Sequence, residues 1–255
     1  MIKQIGEGST AHVFQAQHKH TQKFYTCKRY PNKYAEIAQR EAHILRHMDN
    51  IHLPHFHKLY SNSTFQYLFI DYIDGSDLYE FFVHQLRATI SSERELKHIA
   101  RQMLLCINAC HKMRIQHLDI KLENFIVTNS NPVELKLIDF GQGQFFFNKC
   151  RTPLYNLAGT PGYSAPEYRN SEFTHTSDIW SYGICIWILA TGEKPFNIDR
   201  KTKCRNYTFP SKKHMRKINN MPPLLRDIFY AIFQAKPEDR ITMDQLIHHN
   251  WFDYP

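Results

Sequence analysis

The run His117-Leu118-Asp119-Ile120-Lys121-Leu122-Glu123-Asn124, with Asp139-Phe140-Gly141 beginning fifteen residues after Asn124, limits the folds open to this chain. Between these polar groups lie two apolar runs, Phe125-Ile126-Val127 and Leu135-Lys136-Leu137-Ile138. Asn129-Ser130-Asn131-Pro132, which is turn chemistry, separates them. The pattern predicts a hairpin that folds Asn124 and Asp139 back onto one edge, next to Asp119. Two oxygen-donor side chains beside a third carboxylate suit Mg²⁺, a hard cation usually held by one or two carboxylates plus substrate phosphates. The plainer alternative is three separate solvated residues at strand ends.

The chain has 255 residues, 42% apolar and 22% charged, enough for one large domain or two small lobes of a globular protein. A formal net charge of +8 is compatible with nucleic acid, anionic membrane surfaces or acidic substrates and selects none of them. The six cysteines form no Cys-x-x-Cys pair, and several fall within apolar runs, so they read as reduced core residues. Residues 1–30 lack a signal-peptide stretch, and the longest apolar run, Ile184 to Ala190, is too short to span a bilayer. A cytoplasmic or nuclear location without a membrane span is the expectation.

Strand patterns cover Met1 to Glu7, Ala11 to Gln17, Lys23 to Tyr30 and Tyr67 to Tyr72. Lys33 to Met48 carries Ala35, Ala38, Ala42 and Leu45 at helical spacing. After Asp74-Gly75-Ser76 the pattern turns helical. Ser92-x-x-Glu95 is a capping box ahead of an apolar face, Asp178 to Thr191 reads as a buried helix, and Thr242-x-x-Gln245 caps a last short one. The outline is α+β: a small β-rich lobe with one helix (1–71) and a larger, mainly helical lobe (72–255).

Gly6-Glu7-Gly8-Ser9-Thr10-Ala11 lies between two strands, with Val13 just beyond. Glycines at such a turn let backbone N–H groups approach phosphates where a Cβ would intrude, although the same residues also make an ordinary hairpin. No helix follows, so this is not a Rossmann fingerprint. Lys28 sits in the mostly apolar run Phe24 to Lys28, and an inward-pointing ammonium there needs a partner. Glu41, on the following helix, is the candidate. An unrelated pair of surface residues is equally compatible with these two positions alone.

With these motifs assembled, the sequence resembles the eukaryotic-type protein kinases over essentially its whole length, a family the general phosphoryl-transfer scheme takes as its own example. The resemblance implies a bilobal fold, ATP and Mg²⁺ as cofactors, and Ser/Thr hydroxyls of proteins as acceptors. It assigns Gly6, Gly8 and Val13 to cover ATP and Lys28, paired with Glu41, to contact its phosphates. Asp119 would accept the substrate hydroxyl proton, Lys121 would steady the transferring group, and Asn124 and Asp139 would hold Mg²⁺. Alignment of Phe69 to Ile73 as the hinge implies that backbone groups of Asp71 and Ile73 bind adenine. Ile2, Val13, Thr26 and Ile126 would flank the ring, and Asp77 would reach the ribose. Gly159 to Glu167 is similar to the end of a kinase activation segment, and Asp178 to Gly183 to the buried helix that anchors the catalytic loop. Glu167 would meet Arg240 as a structural ion pair.

Lys121 together with Thr160 is the serine/threonine pattern, and the runs around Thr160 and Leu189 are most similar to the calcium/calmodulin-dependent group. Ala11 stands where the family has a third glycine. Leu118 replaces the arginine that pairs with an activation-segment phosphate, which implies activity independent of that phosphorylation. Ile188 occupies a position where basophilic kinases often carry glutamate. A basic cluster, Arg200, Lys201, Lys203, Arg205, Lys212, Lys213, Arg216 and Lys217, reads either as a dock for an acidic or phosphorylated partner or as a solvated face. Two other functions fit the motifs: a catalytically weak pseudokinase acting as a binding module, and a small-molecule kinase sharing the fold. Nucleic acid is not an expected partner.

Overall fold

Five strands, β1 (Lys3–Glu7), β2 (His12–Gln17), β3 (Phe24–Pro31), β4 (Phe56–Ser61) and β5 (Phe65–Asp71), form one antiparallel sheet in the order β1-β2-β3-β5-β4. The computed structural model describes residues 1–84, 90, 92–146, 152–153, 159–170, 172–196 and 209–253. Four of the strands match the expected ones to within a few residues. β4 does not emerge from the sequence pattern: it is an edge strand in which only Phe56 and Leu59 are half-buried, so alternation is missing.

Helix α1 (Ala35–Arg46) packs on this sheet through Ala38, Ala42, Ile44 and Leu45, and Glu41 lies on the same buried face. A carboxylate among such neighbours requires charged or donor partners. The chain then passes through Gly75 to β6 (Ser76–Asp77) and α2 (Leu78–His84). Gly75 has φ +146°, and a Cβ there would stand 2.1 Å from the Val127 carbonyl oxygen, so this close approach admits only glycine.

The helical part contains α3 (Glu93–Lys112), α4 (Ser177–Thr191), α5 (Lys212–Ile218), α6 (Pro223–Ile232) and α7 (Met243–Ile247). The short strands β7 (Ile115–Gln116), β10 (Gln144–Phe145), β11 (Thr152–Pro153) and β12 (Glu172–Phe173) pair as β7–β10 and β11–β12. Ser92 caps α3 by accepting the Glu95 amide at 3.5 Å, and Thr242 and Gln245 cap α7 reciprocally. Every residue of α4 from Ser177 to Leu189 is buried. Gly183 lets α6 approach α4, because a Cβ there would meet Ile232 Cγ2 at 2.4 Å.

The expected hairpin forms from β8 (Phe125–Ser130) and β9 (Val133–Leu137), with Phe125 opposite Leu137 and Val127 opposite Leu135. β6 adds on the other side, Asp77 opposite Ile126. The hinge segment and the hairpin are thereby hydrogen-bonded into one three-stranded sheet beneath the first. No helix among the described residues is long and apolar enough to cross a membrane. Cys27, Cys106, Cys110 and Cys185 are free and buried, and burial pushes the Cys106 thiol up to about 12. Cys150 and Cys204 lie outside the described residues.

Candidate active site

A cleft of about 1040 Å³ separates the five-stranded sheet from the hairpin and helices. Its roof is the β1–β2 turn, closed by a hydrogen bond from the Gly8 amide to the Ala11 carbonyl at 2.8 Å. Residues 6–11, Val13, Thr26 and Lys28 line it from above. Asp71, Ile73 and Asp77 line its back, and Asp119, Lys121, Asn124, Ile126, Asp139 and Thr160 its floor. Ala11 is buried, and its carbonyl closes the turn, so the methyl group is accommodated there.

Ile2 departs from expectation: it is 54% exposed and does not line the cleft, whereas Ile5 does. The cause is a bulge in β1. Gln4 faces Phe14 and Gly6 faces Val13, so Ile5 is an extra residue and the side-chain alternation shifts by one.

Lys28 lies mid-strand in β3, with Val13 and Leu68 on either side. Its Nζ donates to Glu41 Oε1 and to Asp139 Oδ1, each at 2.6 Å. Burial works against its charge, but Asp139 and Glu41 outweigh it and hold the ammonium well above its ordinary range. The Lys28 charge is likewise the leading cause that lowers the Asp139 carboxyl to about 2. Tyr30, whose residue type alone assigns it no role beyond its strand, donates its hydroxyl to Glu41 Oε2. Its signal, a tyrosine two residues after Lys28, acquires meaning only once β3 and α1 are packed together.

The floor is built on one buried carboxylate. Asp178, at the start of α4, accepts the His117 and Leu118 amides at 2.8 Å each and pairs with His111 Nε2 at 2.9 Å. Burial raises its carboxyl, and these hydrogen bonds more than reverse the effect, so it stays ionised. The two amide bonds hold Leu118 at φ +64°, a left-handed conformation unusual for leucine, and this turns Asp119 into the cleft. His117, another residue that sequence reasoning left without a role, accepts the Asp119 amide at Nδ1 (3.2 Å) and donates from Nε2 to the Ile138 carbonyl (2.9 Å). It ties the loop carrying Asp119 to the residue before Asp139.

Thr160 Oγ1 donates to Asp119 Oδ1 at 2.7 Å, and Lys121 Nζ donates to Asp119 Oδ2 at 2.9 Å and to Thr160 at 3.0 Å. Burial lowers the Lys121 ammonium and its bond to Asp119 raises it, with a net upward shift. Asn124 Nδ2 donates to the Asp119 carbonyl at 2.8 Å, so its Oδ1 is the acceptor left for the cleft. The Asp139 side chain, 46% exposed, faces the same space at φ +66°. These oxygens form a hard donor set of the kind that holds Mg²⁺ through a carboxylate, an amide and substrate phosphates.

Glu167 lies away from the cleft and forms the expected pair with Arg240, at 2.8 and 2.9 Å between paired atoms. Behind the hinge, His55 Nδ1 and His57 Nε2 clasp the Asp71 carboxylate at 2.8 and 2.7 Å. Burial raises that carboxyl, but the histidine hydrogen bonds lower it to about 2 from the ordinary 3.8. The clasp therefore contributes its full stability above pH 3.8 and loses it as pH falls toward 2. In chemical unfolding across that window, Asp71→Asn is expected to flatten the acid limb of the stability curve. His43 and His47 meet each other and Phe145 edge-to-face, and no group of three metal-ligating side chains occurs among the described residues.

The protein kinase domain family model matches residues 1–252. Calcium-dependent protein kinase 5 of Plasmodium falciparum (isolate 3D7) is 28% identical over 260 residues, covering 97% of this chain and 44% of that protein. Calcium-dependent protein kinase 11 of Arabidopsis thaliana is 26% identical, covering 98% of this chain and 51% of that protein. The delta subunit of calcium/calmodulin-dependent protein kinase type II of Oryctolagus cuniculus is also 26% identical, over 100% of this chain and 49% of its own length. The chain thus spans about half the length of these curated relatives. A match running from the first strand to the last helix, over a cleft built in this way, establishes that the chain belongs to the protein kinase family.

Proposed function

We propose that this chain transfers the γ-phosphate of ATP to serine or threonine hydroxyls of protein substrates. The observation that carries the reading is the convergence of Lys28, Asp119, Lys121, Asn124, Asp139 and Thr160 on one cleft. The backbone of Asp71 and Ile73 would receive adenine between Val13, Thr26 and Ile126. Asp77 caps α2 through Oδ1, leaving Oδ2 for the ribose. Asp139 and Asn124 would hold Mg²⁺, which when bound neutralises charge on the phosphates. Asp119 lies beside Thr160 and Lys121, so an acceptor hydroxyl placed there would find its proton acceptor and a cation together. A turnover on the order of 1–100 s⁻¹ is expected, equivalent to a barrier of roughly 15–17 kcal/mol.

Activity independent of activation-segment phosphorylation fits the structure of position 118. The leucine side chain is 1% exposed and packed in the core, so it offers a phosphate no charge. Phosphatase treatment is expected to leave the rate unchanged, and loss of activity would contradict this. Of the basic cluster, Arg200, Lys201, Lys203 and Arg205 lie outside the described residues, and Lys213 and Lys217 pair with Glu193 at 3.3 and 2.5 Å. That single carboxylate offsets part of the cluster's charge and favours a solvated face over an acidic dock. A cytoplasmic or nuclear location fits the four buried free thiols. Incubation with γ-labelled ATP and Mg²⁺ tests the function directly. Label on Ser/Thr of protein supports the reading; label on a metabolite, or none transferred, overturns it.

A further inference from the structure

Lys28 has two carboxylate partners, and one of them has a second task in the cleft. Glu41 Oε1 and Asp139 Oδ1 each hold its Nζ at 2.6 Å, and Asp139 is also the carboxylate that faces the cleft for Mg²⁺. When Asp139 turns to a cation, Glu41 alone keeps the ammonium in register with the phosphates. The Glu41 carboxylate is 1% exposed, and its second oxygen accepts the Tyr30 hydroxyl. Tyr30 is itself 2% exposed and stands two residues from Lys28, on the same face of β3. An apolar residue of similar size would fill that volume without the cost of burying a hydroxyl, which is accommodated here only because Glu41 accepts it. The adjacent residue of α1, Arg40, ties the helix to the carbonyl of Gly141 at 3.2 Å, so α1 is tethered both to the sheet and to the segment after Asp139.

We propose that Tyr30 is a positioning residue: it locks the Glu41 carboxylate between two donors so that Lys28 keeps one fixed partner while exchanging Asp139 for nucleotide phosphate. This rests on the Mg²⁺–ATP reading of the cleft, and it assigns α1 a tether that exists before any nucleotide binds.

Tyr30→Phe removes the hydroxyl and keeps the ring. In the nucleotide-free protein, amide hydrogen exchange is expected to accelerate along Ala35–Arg46 and stay unchanged in α3 and α4. With Mg²⁺–ATP, kcat/KM is expected to fall about tenfold or more, the scale of one hydrogen bond to a charged group. In a Lys28→Met, Glu41→Gln background, where no buried carboxylate is left without a donor, the same substitution should leave residual nucleotide affinity and rate unchanged, because its effect passes through Lys28. Unaltered exchange in α1 would overturn the proposal. So would exchange raised equally in α1, α3 and α4, or an equal fold loss in both backgrounds, since either assigns Tyr30 to general packing. If the wild-type chain transferred no phosphate, the exchange experiment would still decide the tether independently of the kinase reading.

Discussion

Replacing Asp119 by asparagine is expected to cut phosphoryl transfer by about 10²–10⁴-fold while leaving nucleotide affinity unchanged. The substitution preserves shape. It keeps an oxygen for the Thr160 hydroxyl and does not disturb the amide bonds from His117 and Leu118 to Asp178 that set the loop. What it removes is the carboxylate that balances Lys121 and that, on the proposed function, would accept the incoming hydroxyl's proton. Single-turnover rates read beside equilibrium nucleotide binding separate the two effects. Near-normal turnover in the variant would show that Asp119 is not the proton acceptor.

The largest stability effect is expected at Glu167→Ala. Glu167 and Arg240 are 2% and 0% exposed at their side chains and bond through two pairs of atoms. Ser177 donates to the same carboxylate at 2.7 Å, and Arg240 also reaches the carbonyls of Thr176 and Gln234. Burial raises the Glu167 carboxyl, but the Arg240 bonds outweigh it and keep it ionised. Removing one partner strands a buried guanidinium and costs about 3–5 kcal/mol. At roughly 2–4 °C per kcal/mol for a chain near this size, the midpoint of thermal unfolding should drop by about 6–20 °C. A drop of only about 2 °C would show that the pair is dispensable.

The polar residues that bracket the β8–β9 hairpin were legible because short-range pairing puts Asn124 and Asp139 on one edge, and the structure does so. The α1 and α4 helices were legible from apolar spacing and from sheer apolar length. Ile5 was not, because the β1 bulge moves the cleft-facing position without altering residue types. Nor were the functions of Tyr30, His55, His57 and His117. Each acts through a partner on another element, Glu41, Asp71 or Ile138, and such contacts have no local signature. The departure at Leu118 was visible, but its left-handed backbone, held by Asp178 sixty residues on, belongs to tertiary structure.

Phosphoryl transfer in this cleft requires Asp139, Asn124 and Lys28 to form one Mg²⁺–nucleotide site beside Asp119. Calorimetric titration of a non-hydrolysable ATP analogue, with and without Mg²⁺, against the wild-type chain and Asp139→Asn tests this most directly. Mg²⁺ is expected to tighten binding to the wild type, and the gain is expected to disappear in the variant. Equal affinity with and without Mg²⁺ in the wild type, or an undiminished Mg²⁺ effect in Asp139→Asn, would contradict it.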